Sequence, residues 1–83
     1  MSGPALFLVW HGAPESAVSL GEESHPLSAG LFMGRSARTP SRLYHAIKYQ
    51  LPPDTALMVA PLAEAPKFKG MAEGALKWLR TGP

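Results

Sequence analysis

The chain has 83 residues, 46% hydrophobic and only 17% charged, with a formal net charge of +2. That is enough for one small domain, 1–83, and a surface so poor in charge favours self-association, so a homo-oligomer is expected. The absence of cysteine excludes a disulfide framework and any thiolate zinc site.

The first twelve residues, MSGPALFLVWHG, have no basic start and only a short apolar run. The run is too short to span a bilayer and lacks a signal-peptide layout, so a cytoplasmic location without a membrane partner is expected. Within it, Ala5 to Trp10 is unbroken apolar sequence, the pattern of a strand covered on both faces. Pro14 to Leu20 then fits a two-turn helix capped by Gly21. Gly30 to Met33 reads as a strand. Before it, His25-Pro26-Leu27 and Ser28-Ala29-Gly30 fit the arm and turn of a hairpin, with Pro26 confining that arm to a sheet edge or to no strand.

Residues 39–62 are the most legible stretch. Thr39 can cap with its hydroxyl, and Pro40 suits the first helical position, where an N–H is not needed. Leu43, Ala46, Ile47 and Leu51 recur at helical spacing. Pro52 and Pro53 stop the helix, and Asp54-Thr55 turns the chain. The wholly apolar Ala56 to Ala60 then suits a central strand. After a connecting turn at 61–66, Phe68, Met71, Ala72, Ala75, Leu76 and Leu79 fall on one helical stripe. Gly70 and Gly74 weaken its first turns, so this helix starts at Phe68 or only near Gly70.

With the hairpin counted, the order is β-α-β-β-α-β plus a final helix. The expected fold is therefore α+β, a small ferredoxin-like split β-α-β sandwich with a C-terminal amphipathic helix. Without the hairpin a three-stranded α/β sheet remains.

Two candidate surfaces follow. Residues 35–50 carry Arg35, Arg38, Arg42 and Lys48 with no acid among them. On the helix, Arg42, His45 and Tyr49 lie three and four apart and face away from the Leu43–Ile47 stripe, with Lys48 beside them. Cations interleaved with aromatics neutralise phosphates and stack bases, so this face is the candidate contact for RNA or DNA. The competing reading is an ordinary solvated helix face. The second surface is Gly70, Gly74 and Trp78, where small residues allow close approach of a protein partner and tryptophan anchors it. Its competitor is a helix start with Trp78 folded over the sheet. Three scattered histidines, His11, His25 and His45, have no metal-ligand spacing, and no cofactor motif is present. His11 reads best as a turn histidine bonded to nearby backbone.

Residues 29–81 also resemble a known pattern: AGLFMGRSARTPSRLYHAIKYQLPPDTALMVAPL followed by KGMAEGALKWLR. It is similar to the small ferredoxin-like subunit of CRISPR adaptation complexes and its short stand-alone relatives, through Asp54, the strand run Leu57 to Leu62, Phe68, Gly70 and Trp78-Leu79-Arg80. The resemblance implies a ferredoxin-like fold, dimerisation and nucleic-acid contact. That family ends its first strand in a metal-holding aspartate. Here His11-Gly12 follows the strand, so nuclease chemistry is not carried over. A second resemblance links LFLVWHGAPES, HPLSAG and VAPLAEA to the N-terminal elements of histidine phosphatases. Trp10 and Glu64 stand where that family has phosphate-holding arginines, and neither can supply bidentate donors. This implies a degenerate phosphatase at most. The expectation is a non-enzymatic, self-associating binding module for nucleic acid; the alternative is a protein-interaction or inhibitor/adaptor module using an edge strand and the Gly70–Trp78 face, and the second alternative a degenerate phosphatase or a nuclease.

Overall fold

A computed structural model of the chain describes residues 4–16, 18, 19 and 23–80. It contains β1 (Ala5–His11), β2 (Ser24–Ser28), β3 (Leu31–Ser36), α1 (Pro40–Lys48), β4 (Leu57–Pro61) and α2 (Ala75–Arg80). The strands form one four-stranded antiparallel sheet in the order β2-β3-β1-β4. The molecule is thus α+β, and β3 lies between β1 and β2.

The period-two alternation of β1 divides the core. Phe7 and Val9 point to one face and pack with Leu43 and Ile47 of α1, which are fully buried. Val59 and Leu57 of β4 and Phe32 of β3 complete this layer. The opposite face carries Leu6, Leu8, Leu31 and Met33, closed by Leu27, Phe68, Ala75, Trp78 and Leu79. So β1 is covered on both faces, as its unbroken apolar run predicts, but by two separate layers.

The β2–β3 hairpin forms through Ala29-Gly30. Gly30 has φ +74, and a Cβ there would meet the His11 carbonyl oxygen at 2.5 Å. Only glycine allows both the left-handed turn and this approach, through which the His11 N–H donates to the Gly30 carbonyl at 2.8 Å. Pro26 lies on edge strand β2 as its missing N–H requires. The Arg35 N–H bonds the Glu23 carbonyl, which fixes residues 24 and 26 as those whose main chain faces outward. A bulge between Pro26 and Ser28 buries Leu27, whose carbonyl accepts the Ala72 N–H at 2.8 Å. That bond ties the loop before α2 to the sheet.

Helix α1 matches its sequence signals. Thr39 is the N-cap, its hydroxyl accepting the Arg42 N–H at 3.2 Å, and Pro40 opens the helix. Beyond its end, the Gln50 amide exchanges two hydrogen bonds with the Ser19 backbone. This fastens the β1–β2 connection to the same side of the sheet as α1.

Three expectations are corrected. Residues 13–16 form a turn closed by Ser16 N–H to the Ala13 carbonyl at 2.8 Å, with no helix among the described residues of 14–20. Ala17, Leu20 and Gly21 of that expected helix lie outside the described residues. Strand β4 is an edge strand, not a central one. Its apolar run arises because Leu57 and Val59 meet the α1 layer while Met58 and Ala60 face the other side. The last helix has six residues and starts at Ala75. Gly70 and Gly74 adopt φ +76 and +84, values that end a right-handed helix. Phe68 joins the core from the preceding loop instead.

Candidate nucleic-acid interface

Because Leu43 and Ile47 are turned into the core, the opposite side of α1 is presented to solvent. Arg42, Tyr44, His45, Lys48 and Tyr49 are all exposed there. His45 has Tyr44 edge-on at 5.3 Å between centroids and Tyr49 stacked at 6.4 Å, with 25° between those two planes. The Lys48 ammonium lies 6.0 Å from the centre of the Tyr44 ring. Tyr49 is 81% exposed, so its ring is held by helix position and the His45 stack and not by burial. His45 and Lys48 occupy the last turn, where cations also complement the helix dipole. Arg38 is exposed in the turn before α1, its N–H bonded to the Ser36 hydroxyl at 3.0 Å.

Arg35 does not join this face. Its side chain leaves β3 on the other side of the sheet and is buried. There the guanidinium lies 4.1 Å from the centre of the Trp78 ring, donates to the carbonyls of Trp78 and Leu79, and pairs with Glu23. Strand alternation separates Arg35 from Arg38, which a reading of charge along the chain does not register.

Gly70, Gly74 and Trp78 do not make one helix face either. Both glycines precede α2, and Trp78 is half-buried between Arg35 and the stacked His25 ring. Trp78 packs, partly buried, against the layer on the second face of the sheet. His25 bonds the Glu73 carbonyl at 3.2 Å, and His11 accepts the Ala13 N–H on Nδ1 at 3.2 Å. Among the described residues, no three histidines or carboxylates gather into a metal site.

Two features lie beside α1. Tyr44, which the sequence leaves open between the edge of the core and a ligand contact, is part of the aromatic cluster. Where α1 ends, a groove of about 410 Å³ opens, its walls including Tyr44, Lys48, Tyr49, Leu51, Pro53 and Asp54. The Pro52–Thr55 turn shapes one end: the N–H and hydroxyl of Thr55 both bond the Pro52 carbonyl, at 3.3 and 2.7 Å. Asp54 sits in that turn at φ +65, the one non-glycine residue with positive φ among those described. The Pro-Pro-Asp-Thr run signals a turn. It does not signal that the aspartate takes the left-handed position.

Comparison with known proteins finds no family, no curated relative and no solved structure that matches the chain.

Proposed function

We propose that the chain is a small non-enzymatic module that contacts single-stranded RNA or DNA through the exposed face of α1. The observation that carries this reading is the Tyr44–His45–Tyr49 cluster with Lys48 over it and Arg42 on the same helix. Exposed rings held apart from the core stack bases irrespective of sequence, and the flanking cations neutralise phosphates. A merely solvated face has no need of two exposed tyrosines packed against a histidine. The strand order β2-β3-β1-β4 supports the finer description of the fold as ferredoxin-like, with α2 added on the second face. The resemblance to the CRISPR-adaptation subunit and its relatives is a proposal of the same rank, as are self-association and a cytoplasmic location.

The test is fluorescence anisotropy with short single strands at rising salt. Binding is expected to weaken steeply with ionic strength and to be lost in the Arg38→Glu, Arg42→Glu double variant. A double variant that binds like the parent removes the proposal.

A further inference from the structure

We propose that the groove at the C-terminal end of α1 takes one base of the bound strand and prefers guanine, with the Asp54 carboxylate reading its donor edge. This rests on the nucleic-acid reading of the α1 face and names what that site selects.

The groove adjoins the aromatic cluster, sharing Tyr44 and Tyr49 as walls, so a strand stacked on α1 runs past its mouth. Its volume of about 410 Å³ suits a single small ligand. Most of the wall is apolar or aromatic, from Leu51, Leu57, Pro52 and Pro53, the lining a flat ring prefers. Lys48 supplies a cation for a phosphate, and Asp54 is the one carboxylate among the described residues of the lining. Asp54 has no ion pair or side-chain hydrogen bond with any described residue. This distribution matches a nucleotide, which is anionic at one end and offers base-edge donors at the other.

The turn fixes the backbone at Asp54. It occupies the third position of the Pro52–Thr55 turn at φ +65, where glycine or asparagine is the usual residue. Aspartate also tolerates this left-handed position, and here it belongs to the lining of the groove.

An ionised carboxylate only accepts hydrogen bonds. Guanine presents N1–H and the N2 amino group side by side on its Watson–Crick edge, two donors for two oxygens. Adenine and cytosine place an acceptor nitrogen next to their one amino group, and that lone pair is repelled by the carboxylate. The N3–H of thymine or uracil is flanked by two carbonyls. Guanine alone fits without repulsion.

The test uses labelled deoxythymidine decamers with a single central guanine, adenine, cytosine or hypoxanthine. The guanine strand is expected to bind about 10-fold tighter than the adenine or cytosine strand, as a bidentate contact provides. Hypoxanthine, which lacks the amino group, should fall between. Asp54→Asn should equalise the strands while leaving the salt dependence of binding unchanged, and asparagine suits the same turn position. Equal affinity for all strands, or a guanine preference that survives Asp54→Asn, overturns this inference while the α1 reading stands. Binding to none of the strands removes both.

Discussion

Arg35 sits where a charge would ordinarily be expelled, and its surroundings explain why it stays. Its planar guanidinium covers the Trp78 ring while its edge donates to two carbonyls at the end of α2. Both carbonyls belong to the last turn of α2, so the arginine donates to the C-terminal end of that helix from outside it. A lysine has one charge centre and cannot stack and fork at once. Glu23 is half exposed, so its ion pair adds little. The donated bonds carry the effect. Arg35→Met is expected to lower stability by about 2 kcal/mol, the scale of hydrogen bonds to a charged group. Urea unfolding checks it, and a loss below about 0.5 kcal/mol would mean α2 is held by apolar packing alone.

At the scale of elements, the molecule is stitched at places where regular structure ends. Six residues are too few for a helix to persist alone in water, so α2 exists through its docking. Trp78, the Ala72 N–H to the bulged Leu27 carbonyl, and His25 on Glu73 hold it and its approach loop. The hairpin has its own closure at Gly30. Gly30→Ala places a methyl against the His11 backbone in a left-handed conformation, and neither neighbour is a flexible side chain that can yield. A loss of about 3 kcal/mol is expected, read as a lowered denaturation midpoint with a folded-state spectrum retained. An unchanged midpoint would show that the turn has another conformation of similar energy.

The whole molecule has two unlike sides. One carries α1 with its cations and rings. On the other, α2 covers the β2–β3 half of the sheet and leaves Trp10 and Met58 41% and 52% exposed. These two are cross-strand partners on β1 and β4, so together they form an apolar patch. Both sheet edges are blunted. The Gly12–Ala56 and Leu62–Leu6 bonds turn the main chain of residues 57, 59 and 61 outward on β4. Pro61 lacks the N–H needed there, as does Pro26 on the other edge. This weakens the edge-strand route to a partner and favours the Trp10–Met58 patch as the route to self-association. Met58→Lys is then expected to shift a dimer to monomer in light scattering without changing strand binding on the opposite side. A dimer that persists in this variant assigns association elsewhere.

The legible parts of the chain were those governed by neighbours in sequence. Thr39-Pro40 with Leu43 and Ile47 sets the limits and buried side of α1, and Pro52-Pro53 ends it, because capping and proline geometry act within a few residues. Pro26 allowed an edge position and nothing more central, for want of one donor. The apolar run of β4 does not show its edge position, since composition alone does not separate a strand between two neighbours from an edge strand packed on both faces. The stripe from Phe68 to Leu79 fits a helix starting at Phe68 or near Gly70, because periodicity ignores the positive φ that Gly70 and Gly74 take in tertiary context. The candidate site divided in the same way. Arg42, His45, Lys48 and Tyr49 follow from helical spacing. Arg35 was lost to the opposite face by strand alternation, and Trp78 to the space beneath it. Asp54 joined Tyr44 at a groove made by two ends of the chain's turn and helix. Local stereochemistry is written residue by residue, so the sequence by itself determined α1 with its caps and inward face, the β1 run and the edge position of Pro26. Which edge, which side and which neighbours depend on contacts between distant residues, and only the tertiary structure decided those.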